Sequence, residues 1–307
     1  MRLFGIDLGG GSPEDDARRA RAEADQRAIQ AGSLPQDAVA RLTEAAGRDF
    51  FTSNLTAGEL VLTHECGYEP KGQVMGSSVY NVGWQYTPGS WYPASQELET
   101  ITAAHYHARH LALGRLRQEA KLLKADGVVG VRLQIREFEG ASGLLEFYAL
   151  GTAVRRIGAP PAGEPFLSDL SGADHWALRE AGYRPVGFCL GNCTWYQVGD
   201  WQTQNAQGGG WFGGQWQSQE LVGYTQGLYN ARHLAMSRMS AEAQAVGAEG
   251  IVGVSLHPTI EEREVERGEN TPARRDLLVT FTAVGTAVAK DPTAAPAART
   301  LTIMPLR

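Results

Sequence analysis

Cysteine is scarce: Cys66, Cys189 and Cys193 are the only three in 307 residues, so no disulfide framework can staple the chain and a reducing compartment is expected. An excess of base is missing too. Lys and Arg number 28 against 34 Asp and Glu, and the net charge of −6 argues against a dedicated nucleic-acid binder with a broad basic face. No apolar run approaches the roughly 20 residues a bilayer crossing needs. The start, Met1-Arg2-Leu3-Phe4-Gly5-Ile6-Asp7, lacks the apolar stretch of a secretory signal. These absences predict a cytoplasmic protein with no membrane span and no nucleic-acid partner. What remains is ordinary globular material, 43% hydrophobic and 20% charged, which excludes wholesale disorder. The length suits two domains of roughly 100–200 residues each.

The chain is internally duplicated. Residues 106–131 return 123 positions later as 229–254, with 14 of 26 aligned positions identical and no gap. Upstream, 51–56 aligns with 166–171, and 67–72 with 182–187, both at an offset of 115. Downstream, 147–154 aligns with 281–288 at an offset of 134, so the second copy carries 11 extra residues around 261–276. That charged segment, holding Gly268 and Pro272, reads as an exposed hairpin loop. The expected organisation is an N-terminal helical arm (1–50), a first domain (51–157), a Pro/Gly linker (158–165), a second domain (166–290) and a tail (291–307).

One secondary-structure reading serves both copies. Thr56 and Glu59 fit a capping box ahead of a short helix, with Ser171 and Asp174 as a weaker counterpart, and Gly67 and Gly182 are placed to end these helices. An extended segment follows near 74–80 and 188–195, then a loop rich in Gly and Trp. Leu98, Thr102, Tyr106, Arg109, Leu113, Leu116, Ala120 and Leu123 recur at helical spacing and predict a long helix within 96–124, matched by 219–247. Two strands, 128–133 and 144–154, close the unit as an antiparallel hairpin. The fold class is α+β: a small antiparallel sheet covered by one long helix, twice.

The residues Arg109, Ala112, Glu119, Ala120, Ala125, Asp126, 127–131 and 151–154 form a pattern repeated by Arg232, Ala235, Glu242, Ala243, 247–254 and 285–288. This pattern resembles the YbjQ-like family, usually labelled heavy-metal-binding. The resemblance implies a dodecin-like β-α-β-β unit, assembly into rings, commonly of five, and no enzymatic activity; its metal label carries no fixed ligand set. Lys124 stands where the second copy has Gly247, so the first long helix is expected to end differently.

Several residues are candidates for chemistry or contact. Cys189 and Cys193 have a spacing that puts both thiols on one side of a strand, as a soft metal would want. Their counterparts are Val74 and Ser78, so the pair is not duplicated, and buried packing competes with ligation. His110 and its repeat His233 are candidate metal ligands or interface residues beside Arg109 and Arg232. Arg115 and Glu119, and likewise Arg238 and Glu242, are spaced as helical ion pairs and point to an interface role. Trp84, Trp91, Trp201, Trp211 and Trp216 lie on glycine-bearing loops and suit partner contact or core capping. The glycine-rich 4–12 stretch is similar to a sugar-kinase phosphate loop, but a charged helix from Ala17 to Ala31 follows where that chemistry needs strands.

Together these features predict a non-enzymatic, ring-forming homo-oligomer that binds a small ligand or a transition metal, with no organic cofactor. Five chains would give ten domains, stacked as two rings. The alternative is a scaffold ring that contacts a protein partner through its Trp-rich loops.

Overall fold

The structure is a computed structural model and describes residues 13–48, 50–81, 94–137, 144–160, 163–200, 220–266 and 273–292. The arm comes first. Helix α1 (Pro13–Gln30) opens with Glu14, Asp15 and Asp16, acidic residues that suit the positive end of a helix dipole, and it buries no side chain. Helix α2 (Gln36–Ala45) buries Leu42 against the first domain.

Each repeat then runs through the same elements. The first has α3 (Ala57–Glu65), β1 (Tyr68–Asn81), a two-residue strand β2 (Gln96–Glu97), α4 (Glu99–Leu122), β3 (Gly127–Glu137) and β4 (Leu144–Arg156). The second has the two-residue β5 (Phe166–Leu167), α5 (Gly172–Glu180), β6 (Tyr183–Gln197), α6 (Val222–Ala245), β7 (Gly250–Val265) and β8 (Arg274–Lys290). The short helices start as their sequences require: Thr56 and Glu59 close a reciprocal capping box, and Ser171 accepts from the Asp174 amide. Gly67 and Gly182 end them with φ of 80° and 79°. The long helices each span 24 residues and begin and end at corresponding positions.

Lys124 adopts φ 55° and Gly247 φ 73°, so both long helices end through the same left-handed residue. This corrects the expectation that the lysine changes the ending: the shared route into the next strand overrides its side-chain preference. The 11 extra residues are not a simple loop either. They lengthen the β7–β8 ladder, which stays paired out to Val265 opposite Arg274; residues 267–272 lie outside the described residues. Within this extension Arg274 and Asp276 form a buried ion pair along β8, and Asp276 also accepts from the Gly199 amide at 2.8 Å.

In each sheet the last strand lies between the other two, β1–β4–β3 and β6–β8–β7, all antiparallel. The long helix crosses one face and includes alanines among its buried residues: Ala108, Ala112 and Ala120 on α4, and Ala231, Ala235 and Ala243 on α6. The approach is close enough to require glycine. A Cβ on Gly191 would sit 1.8 Å from the Ala235 carbonyl oxygen, and one on Gly76 2.0 Å from that of Ala112. Each sheet takes its fourth strand from the other repeat. β5 pairs parallel with β3, and β2 pairs antiparallel with β6.

Candidate functional site

The polar chemistry of the described residues concentrates where the two repeats meet. On α6, Arg238 and Glu242 do not pair with each other as their spacing suggests. Both turn onto the outer edge of β6: Arg238 donates to the Asn192 carbonyl at 2.7 Å and Glu242 accepts from the Leu190 amide at 2.8 Å. An unpaired strand edge presents such groups, and a charged pair one helical turn apart is well spaced to reach two of them.

The first repeat completes this clamp. Glu97, at the end of β2 and two residues before α4, receives both Nη atoms of Arg238 at 2.6 and 2.9 Å. Tyr106 donates to Glu242 with its hydroxyl oxygen 2.6 Å from the Leu190 carbonyl, and His110 Nε2 lies 3.1 Å from the same carboxylate. Thr102 Oγ1 accepts from the Thr194 amide at 2.9 Å, while the Leu98 amide donates to the Thr194 carbonyl at 2.8 Å. Burial pushes the Glu97 carboxyl up, but hydrogen bonds from Arg238 and Thr102 and the Arg238 charge outweigh it and hold the group below the ordinary range. Glu242 is likewise pushed up by burial and carried below its usual value by His110, Tyr106 and the Leu190 amide.

On its far side the seam uses β3. The Phe166 amide donates to the Asp126 carbonyl, the Ser168 amide to Val128, and the Gly130 and Val131 amides to Leu170 and Ser168. Phe166 lies over Gly127, where a Cβ would come within 2.2 Å of its ring. Tyr68 meets Phe166 edge-on at 6.0 Å, and His175 stacks on Phe166 at 5.9 Å. Burial lowers the His175 pKa to about 4.

The first repeat holds the same residues in a different state. Arg115 donates to the Ser77 carbonyl and Glu119 accepts from the Met75 amide at 2.8 Å, the counterparts of the clamp on β6. Here, however, the arm lies alongside: Ile29 offers Arg115 a carbonyl at 2.9 Å, and Arg41 reaches Glu119 at 3.3 Å. Burial raises the Glu119 carboxyl, and the Met75 amide and Arg41 only partly offset it.

The remaining sequence candidates fall elsewhere. Arg109 is fully buried with its Phe147 ring neighbour 5.4 Å away, and none of its three nitrogens has a hydrogen-bond partner; burial lowers its pKa to about 10. Its repeat Arg232 is exposed, as is His233. Cys189 and Cys193 lie in the second core, 1% and 0% exposed, with both thiols pushed up to about 12 chiefly by burial. Ligation needs thiolate, so this pair is poorly disposed to hold a metal. Among the described residues, no three His, Cys, Asp or Glu gather as a metal centre would require, so the residues present do not fit one. Trp84, Trp91, Trp201, Trp211 and Trp216 lie outside the described residues.

The arrangement therefore joins two folded units through charged and strand-edge contacts. Sequence reasoning missed Glu97, Thr102 and Tyr106 as seam residues, although a signal was present. Ser95-Gln96-Glu97-Leu98 recurs as Ser218-Gln219-Glu220-Leu221, and Tyr106 as Tyr229, each at the offset of the long helices.

Fold and seam define a class: tandem α+β repeats in which each unit supplies a strand to its neighbour. The YbjQ family, described as "Putative heavy-metal-binding", matches residues 71–156 and 212–291, and the chain belongs to it. The chain is similar to the encapsulin nanocompartment protein Rv1762c of Mycobacterium tuberculosis, 43% identical over 233 residues, 74% of this chain and 84% of the relative. It is also similar to a UPF0145 protein of Clostridium perfringens, 35% identical over 88 residues that make up 28% of this chain and 81% of that protein. A UPF0145 protein of Helicobacter hepaticus is 53% identical over 36 residues, 12% of this chain and 35% of the relative.

Proposed function

We propose that this protein is a non-enzymatic structural subunit of a cytoplasmic homo-oligomer, built from dodecin-like units that add edge to edge. The observation that carries the reading is the seam: each repeat extends the other's sheet, with β5 on β3 and β2 on β6. The two repeats contribute different patches to it, so the contact is heterologous, and heterologous contacts propagate until they close into a ring or run on as a filament. Because the repeats are neighbours in one row, a closed ring of whole chains holds an even number of domains. Five chains would give ten, alternating side by side instead of stacked in two layers. The similarity to a protein named for an encapsulin nanocompartment supports a role within a protein assembly.

Native mass spectrometry tests this directly. A series of whole-number multiples of the 33.1 kDa chain is expected, with a ring-sized species dominant. A single chain across the micromolar range would overturn it. The metal version of the function would have to use Cys189, Cys193, His110 and His233, which the burial of both thiols disfavours. Elemental analysis of protein purified under reducing conditions is expected to find no stoichiometric transition metal. Trp84, Trp91, Trp201, Trp211 and Trp216, in glycine-rich stretches of the sequence, support a second reading, a scaffold ring that holds a protein partner through them; similarity to a protein named for an encapsulin nanocompartment favours it.

A further inference from the structure

Within the chain, one face of the first repeat is matched to one face of the second, and each repeat also carries the face that its partner uses. Those two leftover faces lie open at opposite ends of the row. On the second repeat, Glu220, Tyr229 and His233 are exposed at the positions where Glu97, Tyr106 and His110 form the seam, and Tyr229 is 61% exposed. Thr225 already donates to Glu220 at 2.9 Å. Beside them the β7 edge is uncovered: Val254 is 41% exposed, while its counterpart Val131, under the 166–170 segment, is 3% exposed. A Cβ on Gly250 would meet nothing closer than Val288 at 3.9 Å, whereas Gly127 is roofed by Phe166.

On the first repeat the complementary groups wait. Met75 and Val79 on the outer edge of β1 are 49% and 55% exposed, where Leu190 and Thr194 of β6 are fully covered. Arg115 is buried with no carboxylate against it, and its Nε has no hydrogen-bond partner. Phe51 is 39% exposed. Ser53 and Asn54 bond Thr152 as Ser168 and Asp169 bond Thr286, so the segment is held in the conformation that the second repeat uses to cover β3.

We propose that these two faces are the halves of a copy-to-copy interface that repeats the internal seam. Glu220 of one chain takes Arg115 of the next, Tyr229 and His233 take Glu119, and the 51–55 segment of the next chain pairs with β7 so that Phe51 covers Gly250. The occupant is a second copy of this chain, because the docked geometry is already present once inside it. The arm holds the first-repeat face in the free chain with weaker substitutes. It supplies a backbone carbonyl where the seam has a carboxylate, and it supplies Arg41, whose side chain is 61% exposed, where the seam has Tyr and His. Docking displaces the arm from these two contacts.

The proposal rests on the oligomeric reading above, and its test separates the two. Two full-length variants are made: Glu220→Lys with Tyr229→Ala on one face, and Met75→Lys with Val79→Lys on the other. Light scattering after size exclusion is expected to show wild type as a large oligomer and each variant as a single chain. An equimolar mixture should give a two-chain species and nothing larger, because only one intact pair of faces remains. That restored pair also shows that both variants are folded, and matching thermal melts confirm it. If both variants assemble like wild type, or the mixture stays single, this interface is wrong while the oligomer stands. If wild type is itself a single chain, both fall.

Discussion

Buried histidines set how the protein should respond to acid. His105 on α4 and His175 on α5 are 8% and 5% exposed. Burial, helped for His105 by the nearby Arg109 charge, lowers their pKa values to about 3 and about 4. An unfolded chain protonates them near 6.5, so below that pH it holds more protons than the folded chain. The stability they permit is complete above pH 6.5 and is lost as pH falls toward 4, at about 1.4 kcal/mol per pH unit for each histidine. Melting temperatures recorded from pH 7 to 4.5 should fall steeply, and His175→Phe should flatten the slope; an unchanged slope in that variant would refute the assignment. Because His175 lies among Tyr68 and Phe166, acid should loosen the seam early.

At the scale of an element, the ends of the two long helices give a matched experiment. Lys124 and Gly247 share a left-handed backbone that costs a side-chain-bearing residue roughly 1 kcal/mol. Lys124→Gly should therefore raise stability by about 1 kcal/mol, and Gly247→Lys should lower it by a similar amount, both read from urea midpoints. The helices themselves were legible in sequence, because a stripe at three- and four-residue steps appeared twice at one offset. Their endings were not, since a lysine gives no sign that neighbouring structure will force its φ positive. What the Arg–Glu pairs touch was hidden for a related reason. Spacing of four places Arg238 and Glu242 within reach of each other, yet the strand edge beside them offers an amide and a carbonyl that water no longer serves.

For the whole molecule, the seam decides whether two repeats behave as one. Glu97 is the carboxylate on Arg238, in a pair whose side chains are 13% and 35% exposed. Glu97→Ala should cost about 2 kcal/mol at the seam, the usual worth of charge-assisted hydrogen bonds. Calorimetry of that variant is expected to resolve two transitions where wild type shows one, since the lost pair anchors α6 to the first repeat and leaves the β5–β3 pairing and the contact of α3 with α5 to couple the repeats. A single transition at the wild-type temperature would show that β5, α3 and α5 suffice to couple them.

The sequence by itself determined that one α+β unit occurs twice, because helical and strand periodicity are local properties and duplication makes each visible a second time. It also marked which polar residues recur. Only the tertiary structure decided what those residues touch. Arg115 and Arg238, or Tyr106 and Tyr229, are the same in sequence and opposite in environment, because burial and partnership depend on which edge of a sheet faces another domain and which faces the arm or water.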